Sequence, residues 1–223
     1  MTDQTIAHQV ETFNEGFTAQ IGPELSAVFD GEQADLRAAG VPSSALGVGA
    51  TAPDAPLTDP KGAATTLDAV RAGTPTVLVF YRGAWCPYCN LTLRTYQQEL
   101  LPALQERGAQ LVAVSPQTPE GTETAIANGE LAFPVLSDPE NVLAGRFGIV
   151  TEPSAAARAA HTQLGFDVAD SNADDTARIP FPSVFVIDAD GAVRFADVHV
   201  DYTTRTEVAT VVEAVDALGA LAR

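Results

Sequence analysis

Apolar positions open the chain at helical spacing. Ile6, Val10, Phe13, Phe17 and Ile21 recur at steps of three and four, which predicts a helix with one apolar face. Gly22-Pro23 interrupts the pattern. A second stripe, with Leu25, Val28, Phe29 and Leu36, runs on to Gly40. Residues 1–40 therefore read as a helical hairpin whose stripe must be buried against the rest of the chain or against a second subunit.

Residues 41–60 are rich in Gly, Pro, Ser and Asp and read as a loop or a loose edge. The texture then changes. Residues 76–81 (TVLVFY) form a β-branched and aromatic run suited to a strand buried on both faces, and residues 110–115 form a second. Between them a helix is expected over 86–107, with Leu93, Tyr96, Leu100 and Leu104 on one side and a kink at Pro102. Shorter helices are expected over 120–128 and 139–146, and a short strand over 133–136. Residues 183–187 (SVFVI) make a third clear strand, and Asp190-Gly191 turns into an antiparallel neighbour over 192–196. A last helix over 206–221 carries Val208, Val211, Val212, Val215 and Leu218 on one face. Residues 151–178 exceed what a simple α/β domain requires; they read as a solvated insertion, with a lid or a dimer surface as alternatives. Strands alternating with helices, then a hairpin and a final helix, predict an α/β sandwich on a mixed sheet over residues 41–223.

Composition narrows the function. The 223 residues carry a formal charge of −17, with Lys61 the only lysine and the arginines scattered. Such a chain repels phosphate backbones and anionic membrane surfaces, so nucleic-acid and membrane partners are not expected. No apolar run approaches the ~20 residues of a membrane span, and the first ten residues lack the pattern of a secretory signal. A cytoplasmic location is expected.

The two cysteines, Cys86 and Cys89, stand in the run Phe80-Tyr81-Arg82-Gly83-Ala84-Trp85-Cys86-Pro87-Tyr88-Cys89, where a buried strand hands over to a helix. Cys86 falls at or beside the N-cap and Pro87 at the first helical position, where a missing N–H costs nothing. Unpaired amides there favour a thiolate. Cys86 is thus expected to be exposed, acidic and attacking, and Cys89 to be more buried and resolving. Arg82 is a candidate for extra positive charge at the thiolate, and Trp85 and Tyr88 either line the approach or cap the sheet. A zinc site needs four ligands, and His8, His161 and His199 lie far away in sequence, so no metal is expected.

W-C-P-Y-C after a buried strand resembles the active site of thioredoxin-like proteins, C-P-Y-C itself being the glutaredoxin pattern. The segments Gly49-Ala50-Thr51-Ala52-Pro53-Asp54, VAVSP (112–116), FPVLSD (133–138) and PSVFVIDADG (182–191) are similar to blocks of the alkyl hydroperoxide reductase/thiol-specific antioxidant family, covering about residues 46–196. The resemblance implies a thioredoxin-like fold, here with an N-terminal helical extension, and peroxiredoxin-like chemistry without an organic cofactor. Three positions depart from that family: Val79 and Gly83 stand where it has proline and threonine, and Pro182 where it has arginine. Pro182 instead matches the cis-proline of thioredoxins, with Pro180 as the alternative, so a cis Phe181–Pro182 bond is expected. Asp201-Tyr202 and Arg205 read as structural or as a subunit contact.

The implied activity is reduction of a peroxide by Cys86, with Cys89 closing a disulfide that a thioredoxin- or glutathione-type reductant reopens. Two alternatives stand beside it: disulfide exchange through the same pair, and a non-catalytic binding module using the groove around Trp85, Tyr88 and Pro182. A homodimer through the apolar stripe of the N-terminal hairpin is a further expectation.

Overall fold

The computed structural model describes residues 5–221. In chain order the elements are α1 (Ile6–Ala39), β1 (Pro56–Thr58), β2 (Ala64–Thr66), α2 (Leu67–Arg71), β3 (Thr76–Phe80), α3 (Pro87–Thr95), a π-helical turn (Tyr96–Leu100) and α4 (Leu101–Glu106). They continue with β4 (Gln110–Ser115), α5 (Pro119–Gly129), β5 (Val135–Ser137), a 3-10 turn (Pro139–Asn141), α6 (Val142–Arg146), β6 (Val150–Thr151), α7 (Ala155–Gln163) and α8 (Val168–Ser171). The last are β7 (Ile179–Pro180), β8 (Ser183–Ile187), β9 (Val193–Val198) and α9 (Val208–Leu221).

Seven strands form one sheet in the order β2-β1-β5-β4-β3-β8-β9, with β3, β4 and β5 parallel and the remaining pairs antiparallel. Every residue of β3 and β8 is buried, because alternate side chains enter two separate cores. Val77, Val79, Val184 and Val186 face Leu93, Tyr96 and Leu100, with Val211 and Val215 of α9. Leu78, Phe80, Phe185 and Ile187 face Leu143 and Phe147 on the other side. This layering fixes the β3–α3 junction at the centre of the sheet, where the dithiol sits.

The expected break near Pro102 takes the form of a π-helical turn just before it. Proline has no N–H for the carbonyl four residues back, so the helix relaxes to a wider turn rather than ending. The region 41–60 is less loose than expected: β1 pairs with β2 and, at Thr58, with Ser137 of β5.

α1 is broken at Gly22 (φ 80°, ψ 167°), as Gly22-Pro23 predicts. Part of its stripe is spent on its own chain. Ile6 and Val10 are buried in the core beside α3 and α9, while Phe13, Phe17, Ile21 and Phe29 are half-buried. Polar ties fix both arms. The Glu207 carboxylate accepts the N–H groups of Ile6 and Ala7, both at 2.9 Å, satisfying orphan donors of the first turn. Glu32 accepts the Ser154 N–H (2.8 Å), Gln33 accepts the Tyr202 N–H (3.1 Å), and Arg37 pairs with Asp201 at 2.6 Å.

Residues 151–178 are not a solvated insertion. Ala157 and Ala160 of α7 and Val168 of α8 are buried, α7 packs on α1, and Phe29 lies 5.3 Å from His161 between ring centroids.

Candidate active site

Cys86 is the N-cap of α3 and Pro87 its first residue, as the sequence predicts. The turn leading in is held by side chains: Gln117 accepts the Ala84 N–H at 2.7 Å, and Asn90 Nδ2 donates to the Ala84 carbonyl at 2.7 Å. The first-turn amides of Cys89 and Asn90 bond the Cys86 carbonyl (both 3.1 Å), and the Cys86 sulfur accepts no cap hydrogen bond.

The two thiols are free and hydrogen-bonded to each other. Neither is exposed: Cys86 is 0% and Cys89 1% accessible. This corrects the expected exposed Cys86. The first arm of α1 packs on the dithiol turn through Tyr88. Asn14 accepts a 2.7 Å hydrogen bond from the Tyr88 hydroxyl, and Phe13 meets the Tyr88 ring edge-on at 5.4 Å.

The expected division of acidity is reversed as well. For Cys86, burial, its hydrogen bond to Cys89 and the repulsion of that sulfur push the thiol up, against the weaker pull of Arg82 and Arg205. For Cys89, burial also pushes up, but the hydrogen bond from Cys86, the Arg205 charge, and the backbone N–H and charge of Arg82 outweigh it, and the net direction is down. The two directions favour the proton on Cys86 and the negative charge on Cys89. The Cys86 thiol and the two arginines, rather than the helix amides, draw the charge to Cys89. Arg205 Nη2 stands 3.3 Å from the Cys89 sulfur. The sequence marks Arg205 as structural or as a subunit contact, and nothing in a separation of 116 residues signals contact with a cysteine.

Arg82 is buried, its guanidinium carbon 4.8 Å from the Trp85 ring centroid and 4.1 Å from that of Tyr202, a cation held between two aromatic faces. Trp85 also meets Phe166 at 5.4 Å and His161 at 5.8 Å. A cleft of about 660 Å³ runs between the two arms of α1 and these rings; Phe13, Phe17, Phe29, Trp85 and Tyr88 line it, and Arg82, Cys86 and Pro87 lie at its wall. His161, read from sequence as surface or structural, is buried in that wall. His199 bonds Thr204, Asp197 and Thr206, a structural network under the β9–α9 loop.

Pro182 lies on the Cys89 side, lining a cavity of about 10 Å³ with Cys89, His199 and Arg205. The expected cis bond is not formed, since all peptide bonds of the described residues are trans. The chain runs extended here, Pro180 pairing with Val150 and the Phe181 N–H bonding the Ile149 carbonyl at 2.8 Å, so no reversal precedes β8. Among the described residues no group of three or more His, Cys, Asp or Glu side chains is placed to hold a metal ion, and no helix is long and apolar enough to cross a membrane.

A dithiol at the junction of a central strand and a helix, on a mixed sheet layered by helices, defines a protein of the thioredoxin-like class. More narrowly, residues 48–196 match the AhpC/TSA family, and the chain belongs to that family. Among curated proteins it is similar to the thiol-disulfide oxidoreductases ResA of Geobacillus thermodenitrificans (strain NG80-2) and Geobacillus kaustophilus (strain HTA426). Each is 31% identical over 112 residues, 50% of this chain and 63% of theirs, so the match spans under two thirds of those relatives. Among solved structures it shares its fold with peroxidoxin BcpB from Mycobacterium tuberculosis, with 20% identity and a TM-score of 0.58 over 77% of this chain and 97% of that one. A peroxiredoxin-like protein from Aquifex aeolicus is similar at 17% identity and a TM-score of 0.61, over 78% of this chain and 88% of that one.

Proposed function

We propose that this protein is a thiol-dependent peroxidase: Cys86 attacks a peroxide, Cys89 closes the disulfide, and an external thioredoxin- or glutathione-type thiol reopens it, in the cytoplasm. The observation that carries this reading is the roof over the dithiol. Cys86 stands in the wall of the aromatic cleft, where a small shift of its neighbours would admit a peroxide, whereas an extended protein disulfide would have to displace the first arm of α1, with its Asn14–Tyr88 hydrogen bond and Phe13 contact. Enclosure raises the cost of a charge on the Cys86 sulfur, and Arg82 and Arg205 offset part of it. Trp85, Tyr88 and Pro87 shape the approach, and Pro182 backs the pair from the far side.

Disulfide exchange is the second reading. It is favoured by glycine at position 83 and proline at 182, where family-type peroxide ligands would stand, and by the likeness to ResA. The two are separated by the second-order rate of Cys86 oxidation by hydrogen peroxide, measured beside insulin reduction. The peroxidase reading expects peroxide to react much faster than with a free thiol of the same acidity, and insulin to react slowly. Peroxide no faster than that free thiol, with rapid insulin reduction, would reverse the assignment.

A further inference from the structure

Arg205 lies beyond the family-matched segment, in the loop between β9 and α9. Its guanidinium is not free to wander. Nη1 donates to the carbonyls of Tyr202 (2.5 Å) and Thr204 (2.6 Å), and with the fork so fixed Nη2 points at the Cys89 sulfur, 3.3 Å away. Two backbone carbonyls aim a permanent cation at the cysteine that the sequence marks as the resolving one.

We propose that Arg205 is a catalytic residue that holds the sulfur of Cys89 as the resting thiolate, so that Cys89 serves in turn as base, acid and nucleophile toward Cys86. The proposal rests on the peroxidase reading above.

The groups around Cys89 favour this. Cys86 donates to it from the same helical turn. Arg82 supplies a backbone N–H and a buried charge from the end of β3. Tyr81 and Tyr96 flank it, and burial keeps both phenols protonated far above neutral pH. Tyr88, also raised by burial, stays neutral. His199 borders the same small cavity, its ring tied to Asp197 at 3.1 Å, while Asp197 is held below its ordinary range first by that bond. Arg205 is thus the one guanidinium that hydrogen-bonds either sulfur among the described residues.

The steps balance. The proton of Cys86 passes along the existing hydrogen bond to Cys89. The Cys86 thiolate attacks the terminal oxygen of the peroxide; an S–O bond forms, the O–O bond breaks, sulfur loses two electrons and the peroxide gains them. The departing alkoxide or hydroxide takes the proton from Cys89 and leaves as alcohol or water. Cys89, again a thiolate beside Arg205, attacks the sulfur of the Cys86 sulfenic acid. The S–S bond forms, hydroxide leaves, and it is protonated from solvent. Arginine suits the post because its charge does not titrate in any of these steps.

The test uses the reduced full-length protein. Thiolate ultraviolet absorbance against pH is followed in Cys86→Ser and in Cys86→Ser/Arg205→Gln, so that loss of the Cys86 hydrogen bond is common to both. The proposal expects Arg205→Gln to move the Cys89 titration up by about one pH unit or more, a roughly tenfold loss of thiolate below the midpoint. In the Cys86-containing protein, closure of the disulfide from the sulfenic acid should slow about tenfold. Arg205→Lys, which keeps the charge, should restore most of both; if it behaves as Arg205→Gln does, charge is not the cause and the proposal fails. An unchanged titration and closure rate in Arg205→Gln, with Cys86 still oxidised rapidly by peroxide, would overturn the role of Arg205 while leaving the peroxidase reading intact. A wild-type protein inert to peroxide would instead remove the peroxidase reading and the cycle built on it, the titration still deciding the Arg205–Cys89 pairing.

Discussion

The indole of Trp85 folds back over Gly83 so closely that a Cβ on Gly83 would stand 2.5 Å from Nε1. Gly83 itself has φ 151°, a conformation that side chains disfavour, and Gln117 closes its other side. The position where family relatives are expected to carry threonine is therefore filled by Trp85.

Restoring that threonine should not restore a peroxide ligand. Gly83→Thr is expected to expel the indole from the Arg82–Trp85–Phe166 stack, to destabilise the fold by roughly 2–4 kcal/mol through overpacking and backbone strain, and to lower peroxide turnover. Thermal unfolding and steady-state peroxidase rates on the same sample check both. An unchanged melting temperature with faster turnover would contradict the packing described here.

The roof over Cys86 should govern its reactivity with bulky reagents. Phe13 stacks on Phe17 at 5.3 Å and meets Tyr88 at 5.4 Å, so Phe13→Ala opens the cleft directly above the dithiol. A loss of about 2 kcal/mol in stability is expected. Alkylation of Cys86 by a large maleimide should quicken at least tenfold, while iodoacetamide, a small reagent, gains less. Equal acceleration of both would mean that α1 does not gate by size.

Acid should loosen the wall of the cleft through His161. The ring is 5% exposed, and burial, helped by the Arg82 charge, pushes its pKa down to about 4. The unfolded chain titrates near 6.5, so between about pH 6.5 and 4 it binds more protons than the folded one, and stability rises with pH there. The contribution is fully present above about pH 6.5 and is lost as pH falls toward 4, in all about 3 kcal/mol. His161→Gln should flatten that part of the stability profile relative to wild type, as denaturant unfolding at pH 7 and pH 4.5 would show. Parallel profiles would contradict a buried neutral imidazole.

Much of this architecture is legible in the sequence, for a physical reason. Strands β3, β4 and β8 are buried on both faces and announce themselves as continuous apolar runs, and the dithiol is placed by the strand-to-helix change and by Pro87. β1 falls in the segment 41–60 that reads as a loop, because a three-residue strand is too short to show a period. What was misjudged depends on contacts distant in sequence. The first arm of α1 reaches the dithiol turn across 74 positions in the Asn14–Tyr88 bond, and Arg205 reaches the Cys89 sulfur across 116. Local helix polarity, the main signal in the motif, points to the other sulfur.

The most direct test of the central claim is to treat the reduced protein with one equivalent of hydrogen peroxide and locate the oxidation by peptide mass spectrometry. The account predicts a Cys86–Cys89 disulfide in the wild type, a trapped sulfenic acid on Cys86 in Cys89→Ser, and a protein left reduced over the same interval in Cys86→Ser. Oxidation that settles on Cys89 with Cys86 intact, or that proceeds equally fast without Cys86, would contradict it.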